Sequence, residues 1–579
     1  MTNDLSKKWT KNDVPANIGE IVSLRTGMSI EDLKKDHTVY SINNLDEAVD
    51  LFWRHEKRGS MIRVYADYDD DGICSALIID ILFLALRIRN AVITIPRRFT
   101  DGYGIKENNI ADMTSGLLIT VDNGIAAKEA VDLAKKKGID VIILDHHQAR
   151  TDNNGNKVIP NADVIVDPHV TGATFEDYCG AGLAYKFALR VFESKPHRLT
   201  EKAQRYLSSL MAAFAALGTV GDAVSLTGEN RTIVKRGLWM MEHGYCTTGL
   251  KLLLEQFYLG SYITSADIGY KLAPTVNAYG RLEDKGSRKV FRALSYNDKF
   301  SNAAKNDIIE LCNKNKERKD VSERACERAR AMIAASGMEN SNFLVVYDKD
   351  GMSGIAGLVA GRLTEEYRVP SIVFVPTDDP SIIKGSGRSV DWAILTDSMN
   401  NGILDEHQDL IHTYGGHPAA CGISIKKENL EAFRLAVEET ASKLQRPEND
   451  DSIHYDIEIT EDEAKDVMKE LDVYGPYGAG NPDIVIRMDD IDLVPGKDGF
   501  YGTMGATNQH LRLYTKNMEL VWFDGTLKYK EMGEPHKVSV VGILSRHVYK
   551  EDSKLQFQVI DMIPCETASL SLMERLKDL

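Results

Sequence analysis

Val141-Ile142-Ile143-Leu144-Asp145-His146-His147-Gln148 joins four aliphatic residues to an abrupt polar cluster. Four such side chains in succession suit a parallel strand covered on both faces, where every position is buried. The cluster then falls at the strand's carboxyl end, the edge at which the loops of an open α/β sheet share a crevice. Two further runs end the same way. Met61 to Ala66 leads into Asp67-Tyr68-Asp69-Asp70-Asp71-Gly72, and Leu117 to Val121 leads into Asp122-Asn123-Gly124. One acidic turn is ordinary solvated surface. Three on one sheet edge repel one another unless cations neutralise them, so the pattern predicts a metal centre of carboxylates and imidazole.

A chain of 579 residues exceeds one hydrophobic core, and three or four domains are expected. Seven scattered cysteines, never at metal-clip spacing, fit a reducing, cytoplasmic setting better than disulfides or zinc fingers. Met1 to Val14 is polar and reads as no secretory signal. Ile73 to Leu86 is the longest apolar run. It is too short to span a bilayer and is expected as a buried helix. A net charge of −16 argues against a surface coated for nucleic acid, but cations cluster locally. Arg87, Arg89, Arg97 and Arg98 form one group, Arg231, Lys235 and Arg236 a second, Lys384 and Arg388 a third. The acidic segment Glu448 to Asp472 reads as a solvated face or linker.

Along the chain, residues 1–55 read as a helical lead-in. Strands and helices then alternate: strand 61–66, helix 73–89, strands 91–96 and 117–121, helix 125–137, strands 140–144 and 163–166. This is the pattern of a doubly wound parallel sheet. Helices at 181–195 and 203–217 follow, the second leading to Asp222. Residues 298–336 read as a long charged connecting helix. A second α/β unit has strand 343–347, helix 354–367 and strand 371–375, with glycine-rich elements at Gly385-Ser386-Gly387-Arg388-Ser389 and Tyr414-Gly415-Gly416-His417. These are turns, or places where backbone approaches a ligand. Short alternating strands from about 510 to 560 predict a small β-barrel of the OB type.

Asp67-Tyr-Asp-Asp-Asp-Gly72, Asp122-Asn-Gly124, Asp145-His-His147 and Gly218-Thr-Val-Gly-Asp222 resemble the four phosphoesterase motifs of the DHH superfamily. Ile95-Pro-Arg-Arg-Phe-Thr-Asp-Gly-Tyr-Gly104, Asn277-Ala-Tyr-Gly-Arg-Leu282, Gly385-Ser-Gly-Arg-Ser389, Gly415-Gly-His417 and Pro476-Tyr-Gly-Ala-Gly-Asn-Pro482 narrow the resemblance to the RecJ exonucleases. Cys74, Gly221 and Ser225 depart from the residues usual in that family, and none removes a ligand.

The resemblance implies a DHH domain (56–295) and a DHHA1 domain (337–445), both α/β, joined by a helix (296–336) and followed by an OB-type barrel with its linker (446–579). It implies a 5′ to 3′ exonuclease acting on single-stranded DNA in repair and recombination, with two manganese or magnesium ions. Asp67, Asp69, Asp71, Asp122, His146 and Asp222 are then the metal ligands, Asp122 the bridge, and Asp67 a ligand or its outer partner. Asp145 orients an imidazole, and His147 faces the scissile phosphate. Arg98, Arg281, Ser386 and Arg388 hold phosphates. Tyr103 stacks on a base or packs against the helix behind it. His417 meets a phosphate or caps a turn. Single-stranded DNA is the expected partner of a monomer, with a single-strand-binding protein or helicase beside it and no membrane. The rival readings are a DHH phosphodiesterase for short oligonucleotides or cyclic dinucleotides, and a metal-free replication scaffold.

Overall fold

Five parallel strands form the first sheet, in the spatial order Ala91–Thr94, Ile62–Ala66, Leu117–Val121, Asp140–Leu144, Val164–Val166. The computed structural model describes residues 9–35, 39–151, 156–194, 199–297, 302–397, 401–447, 452–496, 499, 501–505, 507–549 and 552–565. Residues 1–8, the start of the expected connecting helix (298–301) and the head of the acidic segment (448–451) lie outside the described residues.

Successive residues of the central strands feed opposite cores. Val64, Ala66, Ile119, Val121, Ile142 and Leu144 face one. Tyr65, Leu118, Val141 and Ile143 face the other, against Val131 and Ala134 of helix Lys128–Lys136. Both faces are covered, which is why the strands read as unbroken aliphatic runs. Helix Asp70–Leu86 lies against the first face beneath helices Gly180–Ser194 and Glu201–Gly221. Between Ile73 and Phe83 every residue but Asp80 is buried, which is why that stretch reads as an apolar run.

Taken by chain position, the strands lie in the order 2-1-3-4-5, so the winding reverses between Ile62–Ala66 and Leu117–Val121. A crevice opens outside the carboxyl ends at such a reversal. Asp67 and Asp122 stand on its two lips.

Two boundaries differ from the sequence reading in ways that matter to the site. The helix expected from Ile73 begins at Asp70, which brings Asp70 and Asp71 into its first turn. The helix expected near 203–217 runs on to Gly221, and Asp222, read from sequence as standing at that element's end, is its C-terminal cap.

Helix Asn302–Ala335 has 34 residues and is about 50 Å long at the usual rise. Ile308 and Leu311 join the first core, and Ala325, Cys326, Ala329 and Ile333 join that of the second unit. One rod is therefore cemented into both.

The second sheet runs Ile411–His417, Ala420–Lys426, Ile382–Arg388, Ser371–Pro376, Leu344–Tyr347. Helix Ser353–Tyr367 covers one face and helix Leu430–Ser442 the other. The two glycine-rich elements, read from sequence as turns or places of close backbone approach, are strands. Gly385 to Arg388 is paired on both sides, and Gly415 to His417 ends the edge strand. Packing explains the glycines. A Cβ on Gly385 would lie 2.7 Å from the Phe374 ring, and one on Gly387 would lie 2.6 Å from Cys421 Sγ.

A third, OB-type sheet has seven strands, in the order Ile457–Glu458, Val485–Asp492, Lys537–Tyr549, Asp552–Pro564, Glu519–Trp522, His510–Tyr514, Tyr501–Met504. Its pairing, among the described residues, runs from edge to edge without joining the two ends. The lead-in expected over residues 1–55 divides. Helix Leu45–Arg58 packs on the first unit. Trp9–Lys11 instead pairs in parallel with Ile453–Tyr455, and Ile18, Ile21, Val22 and Leu33 enter the core of the OB-type sheet. No helix among the described residues is long and apolar enough to cross a membrane.

Candidate metal centre and active site

Four carboxylates reach the crevice from the first strand and the helix after it. Asp67 ends the strand, and Asp69 caps the helix, its carboxylate accepting from the Gly72 amide at 3.2 Å. Gly72 is required by close approach, since a Cβ there would lie 2.6 Å from the Asp67 carbonyl. Asp71 points inward and accepts the Gly180 and Ala181 amides at 2.6 and 2.8 Å. Those amides open helix Gly180–Ser194, whose amino end favours a negative charge. Asp70 is buried too, with its amide donating to Asn277. A Cβ on Gly221 would fall 1.8 Å from an Asp70 carboxylate oxygen. Gly221 thus leaves the room that this carboxylate occupies.

Asp122 follows the central strand with φ of 59°, a left-handed conformation rare for a non-glycine residue. Gly180 backs it closely, because a Cβ there would lie 2.5 Å from Asp122 Cβ. His146 Nε2 stands 3.2 Å from Asp122, 3.8 Å from Asp71 and 3.8 Å from Asp222. Three sets of potential ligand atoms result: Asp67, Asp69 and Asp122; Asp71, His146 and Asp222; and Asp122, His146 and His147.

Burial, reinforced by neighbouring carboxylates, pushes Asp67, Asp70 and Asp122 well above the usual range. The same causes lift Asp222 to about 8. Burial raises Asp71 to about 6 despite its two amide donors. One buried oxygen on Asp67 and one on Asp70 have no hydrogen-bond partner among the described residues. Buried acids this crowded and this poorly supplied with donors fit cations.

Asp145 behaves oppositely. Burial works against its charge, but His147, His146 and the Ile125 amide hold it down to about 2. His147 Nδ1 lies 2.7 Å from Asp145. Burial opposes the charge on His147 as well, and Asp145 overrides it, raising the imidazole to about 9. His146 is buried beside this cation and falls to about 3. One histidine is therefore a neutral donor of lone pairs and the other a fixed cation. Tyr103 places its hydroxyl 3.3 Å from His147 Nε2. The residue is 42% exposed.

Cations gather where the two α/β units meet. Arg98 lies 4.6 Å above the Tyr68 ring. Arg281 donates to the Gly354 carbonyl at 3.3 Å. Burial, with Arg98, Arg318 and Arg388 around it, lowers Arg281 to about 9. Ser386 and Arg388 side chains both face Gly357 on helix Ser353–Tyr367. Burial lowers His417, and the charge of His147 across the cleft adds to it.

The sequence reading missed three supports. Asn277 holds the Asp70 amide. Asn123, fully buried, ties Val121 to Tyr65 through their carbonyls. Arg318, bonded to Asn315, adds charge beside Arg281. Asn277 stands inside a quoted motif, but nothing in its spacing tells which backbone it reaches.

The DHH family, N-terminal domain, matches residues 61–219; the DHHA1 domain matches 340–443; and the RecJ OB domain matches 455–561. The single-stranded-DNA-specific exonuclease RecJ of Salmonella typhimurium is 32% identical over 410 residues, 68% of this chain and 68% of that relative. This chain belongs to the RecJ family. The Bacillus subtilis RecJ is 28% identical over 540 residues, covering 90% of this chain and 64% of the relative, so the chain spans less than two thirds of that protein. RecJ from Thermus thermophilus, solved with Mn2+, has a TM-score of 0.75 at 23% identity, covering 97% of this chain and 80% of that one. An exonuclease RecJ bound to manganese gives 0.58 at 27% identity, covering 70% and 96%.

Proposed function

We propose that this RecJ-family chain hydrolyses single-stranded DNA from the 5′ end, in the 5′ to 3′ direction, releasing 5′-mononucleotides for repair and recombination. The observation that carries the reading is the pair of ligand sets, Asp67 with Asp69 and Asp122, and Asp71 with His146 and Asp222. The Asp122 to His146 contact of 3.2 Å joins them. Carboxylate oxygens suit manganese and magnesium, and the imidazole tilts the choice toward manganese. Two such cations, when bound, supply positive charge at the scissile phosphate and acidify a water.

The chain's own groups do the rest. Asp145 fixes His147 as a cation turned toward Tyr103 and the cleft, where it stabilises charge growing on the phosphate oxygens. Arg98, Arg281 and Arg388 grip phosphates through planar guanidinium forks. Ser386 and Arg388 together hold the terminal one. Tyr103 offers a ring on which any base can stack, and His417 closes the cleft from the second unit. We assign cleavage to residues 56–295, the spacing strut to 296–336, end-holding to 337–445 and strand tracking to 446–579. A monomer working in the cytoplasm beside a single-strand-binding protein or helicase completes the reading. Seven free thiols accord with that compartment.

End-labelled single- and double-stranded DNA, incubated with each metal, tests it. The expected result is mononucleotide release from the 5′ end of single strands with manganese or magnesium. Equal rates on dinucleotides and long strands would instead favour a short-oligonucleotide phosphodiesterase, which needs no OB-type sheet.

A further inference from the structure

Asp222 differs from the other proposed ligands in what holds it. Asp67, Asp69, Asp71, Asp122 and His146 are carried by the edge of the first sheet and the helix beside it. Asp222 caps a helix, its side chain is 30% exposed, and Ala223 after it takes a left-handed backbone with φ of 58°. A non-glycine residue stays in that conformation only where its surroundings enforce it.

Two to three residues further on, the chain meets the C-terminal unit. The Leu226 amide donates to the Ala479 carbonyl at 2.7 Å. A Cβ on Gly480, where φ is 71°, would fall 2.3 Å from Ser225 Oγ, and one on Gly478 would fall 2.8 Å from a Leu226 methyl. The two loops therefore touch backbone to side chain, and the glycines permit it. Ser265 donates to the Tyr477 carbonyl at 2.5 Å. Arg231, buried on the next helix, donates to the carbonyls of Tyr474 and Val473 at 2.7 and 3.0 Å. The loop is itself closed: Gly478 and Asn481 exchange backbone hydrogen bonds, and the Asn481 amide group reaches the Tyr474 and Pro476 carbonyls. It is a rigid block seated three to four residues beyond Asp222.

We infer that the loop Tyr477–Asn481, packed on Ser225 and Leu226, is a positioning element for Asp222, so that the C-terminal unit completes one of the two cation sites. The OB-type unit then tunes metal affinity as well as holding the strand. Gly480 is a positioning residue that acts through Asp222, because it lets the loop close on residue 225. The inference rests on the two-cation reading above.

Calorimetric titration of manganese into the full chain tests it without any turnover. Gly480→Ala drives a methyl onto Ser225 and should weaken one of two manganese sites by about ten- to hundredfold, the usual cost of losing an outer support. The other site should be unchanged. Gly480→Ala combined with Ser225→Gly removes the collision, though not the backbone strain at residue 480, and should restore the weakened site. Affinity for single-stranded DNA in EDTA should match wild type in both. Asp222→Ala is the reference, and must weaken the same site. If Asp222→Ala leaves manganese binding intact, the two-cation reading fails. If Asp222→Ala weakens a site while Gly480→Ala does not, the inference alone fails. It fails also if Gly480→Ala weakens both sites equally, which marks a general loss of structure, or if the double variant gives no restoration, which shows that the collision with residue 225 is not what displaces Asp222.

Discussion

Asp122 concentrates the chemistry of the molecule in one strained residue. Its left-handed backbone turns the carboxylate back over the strand edge, where it reaches Asp67 and Asp69 on one side and His146 on the other. Asp122→Ala should therefore abolish hydrolysis with manganese present, while circular dichroism shows the fold retained. Wild-type turnover in that variant would refute the bridging assignment. His147 is the opposite case, a cation created by Asp145 and not a group short of charge. His147→Ala should keep manganese binding within about threefold and lose about a hundred- to thousandfold in rate, the scale of one removed transition-state donor. Manganese binding lost along with the rate would make His147 a ligand.

At the scale of elements, the aliphatic runs ending in acids were legible because a strand covered on both faces leaves an unmistakable record, and because a polar cluster at its end has few other causes. The glycine-rich stretch Gly385 to Arg388 reads in sequence as a turn or a close backbone approach, and the choice between them is physical. Glycine marks either a turn or a close approach, and here Phe374 and Cys421 impose the close approach within a paired strand. The N-terminal helices were equally illegible. Their apolar positions show a buried face, but only the fold shows that the face belongs to a sheet more than four hundred residues away. The strand correction changes what the end-holding site can be. Amides within a two-sided ladder cannot cradle a phosphate, so Ser386 Oγ and the Arg388 guanidinium, both facing helix Ser353–Tyr367, carry the whole task. Arg388→Ala should then cost 5′-phosphorylated single strands about ten- to hundredfold, equivalent to one charge-assisted hydrogen bond, and cost 5′-hydroxyl strands much less. Matched oligonucleotides with and without the phosphate decide it; an equal loss on both would show a grip that does not read the end.

The whole molecule stores unfavourable charge at the meeting of its units, and this fixes how its stability responds to pH. Asp67, Asp70 and Asp122 are held well above their unfolded range by burial and mutual repulsion, with Asp222 at about 8 and Asp71 at about 6. Between pH 4 and 8 these acids keep protons in the metal-free folded chain that the unfolded chain has released. They outnumber His146, lowered to about 3, whose opposite contribution climbs with pH only up to about 6.5, so stability falls as pH rises. His147, raised to about 9 from an ordinary imidazole value, contributes with the same sign over the upper part of that range. Asp145, held down to about 2, loses its contribution only as pH falls below about 4, under the window. In EDTA the unfolding midpoint should therefore drop by on the order of 5 °C from pH 5.5 to 8.5. Manganese binds the folded state with its carboxylates ionised, so saturating metal should raise the midpoint more at pH 8.5 than at 5.5 and release protons on binding. Scanning calorimetry, with titrations in two buffers of different ionisation enthalpy, measures both. A metal-free midpoint that holds level or climbs with pH would show that these acids are already ionised without cations, and the assignment of the cluster as a neutralised metal site would have to be abandoned.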